Sequence, residues 1–167
     1  VDLPDLLKER IRRLQAYLDD PHADLVSMDI QQEQQATADV DSTEETHVTD
    51  IISVLQDLEY HLADVDMTRD FHTMGGWPLL VAMVDADAHY ENGSIPIDLV
   101  ANVRQVQLNA AWAIGTAIKN TGEFYPYAIE EVQVRGETTT ALKVLLKQFQ
   151  AEGNNNQLMQ QKVIYAM

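Results

Sequence analysis

A helical period in the apolar residues narrows the fold more than any other feature of this sequence. Val100, Val103, Val106, Leu108, Ala111, Trp112, Ile114 and Ile118 gather on one stripe at that period, and so do Val48, Ile51, Ile52, Leu55, Leu58, Leu62 and Val65. Such spacing aligns side chains along one face of an α-helix, whereas a strand needs strict alternation. The pattern predicts a long helix over 98–119 with Asp98 as N-cap, and another over 49–65. A third, over 5–18, turns Leu6, Leu7, Ile11, Leu14 and Leu18 inward and Arg10, Arg12 and Arg13 outward, and ends at Asp19-Asp20-Pro21. No run carries the β-branched alternation of a strand, so the expected class is all-α.

The breakers divide the rest. Gly75-Gly76-Trp77-Pro78 reads as a turn between a helix-compatible stretch, 66–74, and a short helix, 79–84. Asn92-Gly93 and Pro96 make 85–96 a loop, and Asn120-Thr121-Gly122 stops the long helix. The scheme then recurs: a short helix over 127–134, a turn at Arg135-Gly136-Glu137, a helix over 139–149 with Leu142, Leu145 and Leu146 inward, and a loop of Gly153 and three asparagines before a second long helix. Phe71-His72-Thr73-Met74-Gly75 corresponds to Val132-Gln133-Val134-Arg135-Gly136, and Asn109 to Ile114 corresponds to Lys162 to Met167. The turns lie 61 residues apart (136 − 75) and the long helices 53 (165 − 112). Helical solenoid units of the armadillo and related classes run about 40 to 47 residues, so these read as units with loop insertions. Residues 29–46, rich in Gln, Glu, Asp and Thr, read as a mobile linker or a solvated helix. The expected organisation is an N-terminal amphipathic helix and acidic, Gln-rich linker over 1–47, then armadillo-like helical repeats over 48–167. The chain begins at Val1 without methionine and stops inside an apolar helical pattern, so it reads as a fragment whose last repeat is truncated.

Charge removes whole classes of partner. Eleven Lys and Arg against 27 Asp and Glu give −16, and 20 of the acidic residues but only 5 of the basic ones fall at or before Asp87. A polyanion would be repelled, which argues against nucleic acid and anionic membranes. No apolar run approaches the roughly 18 to 20 residues of a spanning helix, so membrane insertion is not expected. With no cysteine there is no thiol nucleophile and no thiolate metal site. His22, His47, His61, His72 and His89 never fall four residues apart, the spacing of a helical metal pair. The doublets Asp19-Asp20, Glu44-Glu45 and Glu130-Glu131 read as solvated faces, and Gly75-Gly76 lacks phosphate-loop spacing. Neither an enzyme nor a bound cofactor is expected.

The segment Gln107-Leu108-Asn109-Ala110-Ala111-Trp112-Ala113-Ile114-Gly115 resembles the third helix of an armadillo repeat, and Glu130-Glu131-Val132 leading to Gly136 resembles a first helix and turn. The run from Leu55-Gln56-Asp57-Leu58-Glu59-Tyr60-His61-Leu62-Ala63-Asp64-Val65-Asp66 to Phe71, continued by Met74-Gly75-Gly76, resembles the start of the armadillo core in nucleotide exchange factors of seventy-kilodalton heat-shock chaperones, the SIL, Fes and HspBP family. The chain departs from that pattern at Met67-Thr68, where the family has Asn-Ala after the aspartate, and has a single glycine at its second turn. Leu58-Glu59-Tyr60 and Glu123-Phe124-Tyr125-Pro126-Tyr127 resemble the lumenal SIL type acting on BiP, and Asn92-Gly93-Ser94 is a glycosylation acceptor triplet suited to that compartment. The resemblance implies a co-chaperone of protein folding and transport in the endoplasmic reticulum lumen that clasps the chaperone's nucleotide-binding domain and promotes ADP release. A cytosolic Fes-type factor is the alternative within the family.

In armadillo repeats the third helix lines the concave groove. If Trp112 lies on the groove stripe, helical spacing adds Gln105, Leu108, Thr116 and Lys119, with Asn109 beside it and Tyr165 as the matching position of the next unit. Trp112 could equally pack in the core between units, and Asn109 could bond to a neighbouring backbone. A peptide-binding adaptor of the nuclear-import-receptor type is the competing function; such adaptors carry Asn four residues after Trp, where this chain has Thr116.

Overall fold

The fold was analysed in a computed structural model, which describes residues 2–35, 50–90 and 96–152. Within them the chain is mostly helical, with one two-stranded sheet. Helix α1 (Leu3–Asp19) buries Leu7, Arg10, Leu14 and Tyr17. These alternate three and four apart, so Arg10 belongs to the inward stripe and not to the outer face expected from its charge. Only 8% of it is exposed, because its Nε donates to the Asp57 carboxylate at 2.9 Å. A buried guanidinium is tolerated where a carboxylate meets it. Pro21 then opens α2 (Pro21–Gln35), with Asp20 accepting from the Ala23 amide at 3.3 Å. Of the stretch 29–46, the backbone is helical as far as Gln35; the remainder lies outside the described residues.

The helix expected over 49–65 stops at His61, and the helix-compatible stretch 66–74 forms a helix of its own. Helix α3 (Ile51–His61) is capped by Asp50, whose carboxylate accepts from the Ser53 amide at 3.0 Å, and α4 (Val65–Thr73) is capped by Asp64 in the same way at Met67. The break follows from competition for one carbonyl: Leu62 O accepts from Thr68 Oγ1 at 2.9 Å and from Asn120 Nδ2 at 3.1 Å, which ends α3 there. Gly75 takes φ +85°, and α5 (Gly76–Ala82) opens with Pro78 in its first turn. A side chain at Gly76 would lie inside van der Waals contact with the Phe71 ring, so that position accepts only glycine.

A short 3₁₀ turn, Ala86–His89, follows, and a second, Ile97–Leu99, leads into α6 (Val100–Lys119). Asp98 is exposed inside that turn and does not cap α6. The short helix expected over 127–134 is absent. A 3₁₀ turn spans Gly122–Ala128, and β1 (Val132–Val134) pairs antiparallel with β2 (Glu137–Thr139), Val134 opposite Glu137. Arg135 and Gly136 both have positive φ, 54° and 78°, the requirement of a tight primed hairpin turn. Arg135 is held in that strained state by donating from Nη1 to the Asp87 carbonyl. Phe71–Gly75 and Val132–Gly136 are therefore not equivalent: one is a helix end and the other a hairpin. Helix α7 (Ala141–Glu152) follows. Among the described residues no helix is long and apolar enough to cross a membrane.

One apolar cluster unites α1, α3, α4, α5, α6 and β1, through Leu14, Leu58, Phe71, Trp77, Ile114 and Val132 among others. At its edge sits His89, 2% exposed, with Nε2 3.0 Å from the Met83 carbonyl and Nδ1 2.5 Å from the Tyr17 hydroxyl. Nε2–H must donate to the carbonyl, so Nδ1 accepts from Tyr17 and the ring is neutral. Burial pushes its pKa down from 6.5 to about 4, against the opposing pull of Met83 and Asp85. Between those values the unfolded chain binds a proton that the native one refuses. This contribution to stability is complete above about pH 6.5 and drains away towards pH 4, a total of about 3 kcal/mol. Urea unfolding at several pH values should show His89→Gln losing less stability on acidification than the wild type; identical slopes would contradict the assignment.

Candidate functional site

The stripe expected on the long helix exists, and its members differ in exposure. Helix α6 buries Val103, Val106, Ala110, Ile114 and Ala117 against the core. Gln105 and Lys119 are exposed on the opposite side, with Leu108 and Trp112 half-buried between them. Trp112 thus sits on the boundary stripe and is absent from the fully buried set. Thr116 is 9% exposed, at the edge of the stripe facing α3, and its Oγ1 donates to Glu59 Oε1 at 2.8 Å. Asn109 is buried, and its Nδ2 donates to the Gln105 carbonyl of its own helix at 2.8 Å. Tyr165 and the Asn92 acceptor lie outside the described residues.

Two cross-links fix how α3 and α6 lie. Thr116 meets Glu59, and Asn120 meets the Leu62 carbonyl, separations of 57 and 58 residues. Advancing four residues along α6 advances three along α3, so the two helices run side by side in the same direction. Together they make a floor whose outer surface carries Gln56 and Tyr60 from α3 and the Gln105 to Lys119 stripe from α6. The sequence did not single out Glu59 as a partner of Thr116. Its position one turn beyond Leu55 on the flank of the apolar face was visible, but the helix it meets was not.

The remaining polar groups mostly hold elements together. His72 Nε2 lies 2.7 Å from Glu130 Oε2 with its ring stacked on Tyr127 at 4.0 Å, and Trp77 Nε1 donates to the Tyr127 carbonyl at 3.3 Å. Arg69 forks onto Glu123, both contacts 2.7 Å, and the hydrogen bond from Arg69 holds the Glu123 carboxyl below its usual pKa. Both pairs join α4 to the turn after α6. Glu130 is therefore engaged with His72, although as part of a doublet it reads as solvated. Among the described residues no group of three or more His, Asp or Glu is placed to hold a metal ion. A cavity of about 780 Å³, lined by Leu18, Pro21, Leu79, Tyr90, Leu99 and Arg135 among others, shares no residue with the stripe. The Tyr90 hydroxyl is buried without a hydrogen-bond partner, and burial raises its pKa to about 12.

Comparison of the chain with known proteins finds no matching family model, no matching curated protein and no matching solved structure.

The α3–α6 link can be measured directly. A double-mutant cycle of Thr116→Val and Glu59→Ala in urea unfolding should give a coupling energy of about 1 kcal/mol. Additivity within about 0.3 kcal/mol would mean that this bond does not join the helices.

Proposed function

We propose that this chain is a co-chaperone that binds the nucleotide-binding domain of a BiP-like seventy-kilodalton heat-shock chaperone and promotes ADP release. In this reading α4, α5 and α6 form one armadillo-like unit, and α3 is the third helix of the unit before it. The observation that carries the reading is the parallel pairing of α3 with α6, the relation that third helices of successive units adopt when they line a common groove. The sequence resemblance over 55–76 lends it the chaperone partner, and Asn92 favours the endoplasmic reticulum lumen over the cytoplasm. The unit after α6 begins with a 3₁₀ turn and a hairpin in place of a first helix, so the solenoid reading rests on α3 to α6.

The mechanism needs differential binding and no bond-making. The floor must hold the open, nucleotide-weak state of the chaperone more tightly than the closed one, and by linkage ADP then weakens the clasp by the same factor. Such couplings are typically about 1 to 3 kcal/mol, or roughly 5- to 150-fold. Gln105, Leu108, Trp112 and Lys119 supply the mixed polar and aromatic surface that a folded partner recognises. Thr116 orients the floor through Glu59 and leaves no asparagine at that position to grip an extended peptide backbone.

Release of fluorescent ADP from the chaperone should accelerate roughly tenfold or more on adding the chain. Trp112→Ala and Lys119→Glu should each reduce the effect with the fold retained by circular dichroism. No acceleration, with tight capture of an extended basic peptide instead, would mark the chain as a peptide-binding adaptor.

A further inference from the structure

The cavity of about 780 Å³ shares no residue with the α3–α6 floor. Leu18 of α1, Leu25 of α2, Pro78 and Leu79 of α5, and Leu99 just before α6 give it an apolar lining. Those walls are tied to one another. Asn102 donates to the Leu25 carbonyl at 3.3 Å, joining α2 to α6, and Arg135 of the hairpin turn donates to the Asp87 carbonyl. The space is therefore preformed, and its volume falls within the roughly 300 to 1,000 Å³ usual for small-molecule sites.

The polar groups around it narrow what it can take. Asp19, Asp20 and Arg135 are exposed and engaged: Asp19 accepts from Gln15, Asp20 from the Ala23 amide, and Arg135 donates as above. His89 is neutral, and its two ring nitrogens are taken by Met83 and Tyr17. One group of the lining differs. The Tyr90 hydroxyl is buried and has no hydrogen-bond partner among the described residues. Such groups are costly, and few occur in native proteins. Burial raises its pKa to about 12, so at neutral pH it keeps its proton and can donate. A charged ligand would lose its water against the apolar lining, whereas a neutral oxygen needs only one donor.

We propose that this cavity binds a small, neutral, mainly apolar molecule whose carbonyl or ether oxygen accepts from the Tyr90 hydroxyl. Tyr90 as a whole is half-buried, so rotation about its side-chain bonds brings the hydroxyl to the ligand oxygen and ends its isolation. The site is separate from the floor and does not depend on the chaperone reading.

The test titrates Nile red, a neutral planar dye with a ring carbonyl, into the full chain and reads its fluorescence. Binding should saturate at one dye per chain. Tyr90→Phe removes the donor, so it should weaken binding roughly 2- to 10-fold and shift the bound dye's emission to the blue. The same change deletes an unpaired buried hydroxyl, so the Tm of the chain without dye should rise by about 2 to 4 °C. Ala88→Trp places an indole on the cavity wall and should weaken binding more than roughly tenfold. Non-saturable uptake, or unchanged affinity in both variants, would overturn the site. Unchanged affinity in Tyr90→Phe alone, or a fall in its Tm, would overturn the hydrogen bond and with it the ligand class. One dye per two chains would make the cavity an interface between copies and overturn the small-molecule reading.

Discussion

The architecture depends on the way α6 is bound on several sides at once. Its apolar residues reach the core, and three of its polar side chains, with Asn120 at its C-cap, bridge to neighbours. Asn102 donates to the Leu25 carbonyl, Gln107 to the Val84 carbonyl, Thr116 to Glu59 and Asn120 to the Leu62 carbonyl. Two of those carbonyls stand where α3 and α5 end, where the last turn of a helix leaves acceptors without partners. Helix α6 thus completes the ends of the helices it packs against, and each buried amide is satisfied in return. Removing Gln107 would take this donor from the Val84 carbonyl, whereas the Leu62 carbonyl would keep Thr68 Oγ1 if Asn120 were removed.

A helix committed on so many sides has little surface left. The exposed side of α6 carries Ala101, Arg104, Gln105 and Lys119, with Leu108 and Trp112 half-buried among them, and the same geometry brings the outer face of α3 alongside it. Recognition on this floor would cost little reorganisation, because its two helices are fixed by the core and by each other. The Arg69–Glu123 ion pair and the His72–Glu130 contact join α4 to the segment after α6 on the same body.

Much of this was legible in the sequence, and the failures have particular causes. The long helix, the first helix and the Gly75 turn follow from period and punctuation, which are local properties. Arg10 was assigned outward because charge normally seeks water; Asp57, 47 residues away, reverses that preference. The hairpin escaped because three residues are too few to display alternation, and Val132-Gln133-Val134 fits either period. Its signal was Arg135-Gly136, a pair with glycine at a position needing positive φ, yet the arginine is tolerated through a carbonyl 48 residues away. The stripe around Trp112 came from helical geometry alone. Which of its members were already engaged, Thr116 with Glu59 and Asn109 with its own backbone, depended on packing that one helix cannot reveal.

The central claim is that the α3–α6 floor is the recognition surface. Site-specific photo-crosslinking tests it most directly: a photoreactive residue is placed at Gln56, at Gln105, or at Gln133 on the exposed side of β1, and the chain is irradiated with the chaperone's nucleotide-binding domain. The account predicts adducts from Gln56 and Gln105 that disappear with excess ADP, and none from Gln133. Adducts from Gln133 with none from the two floor positions would contradict it.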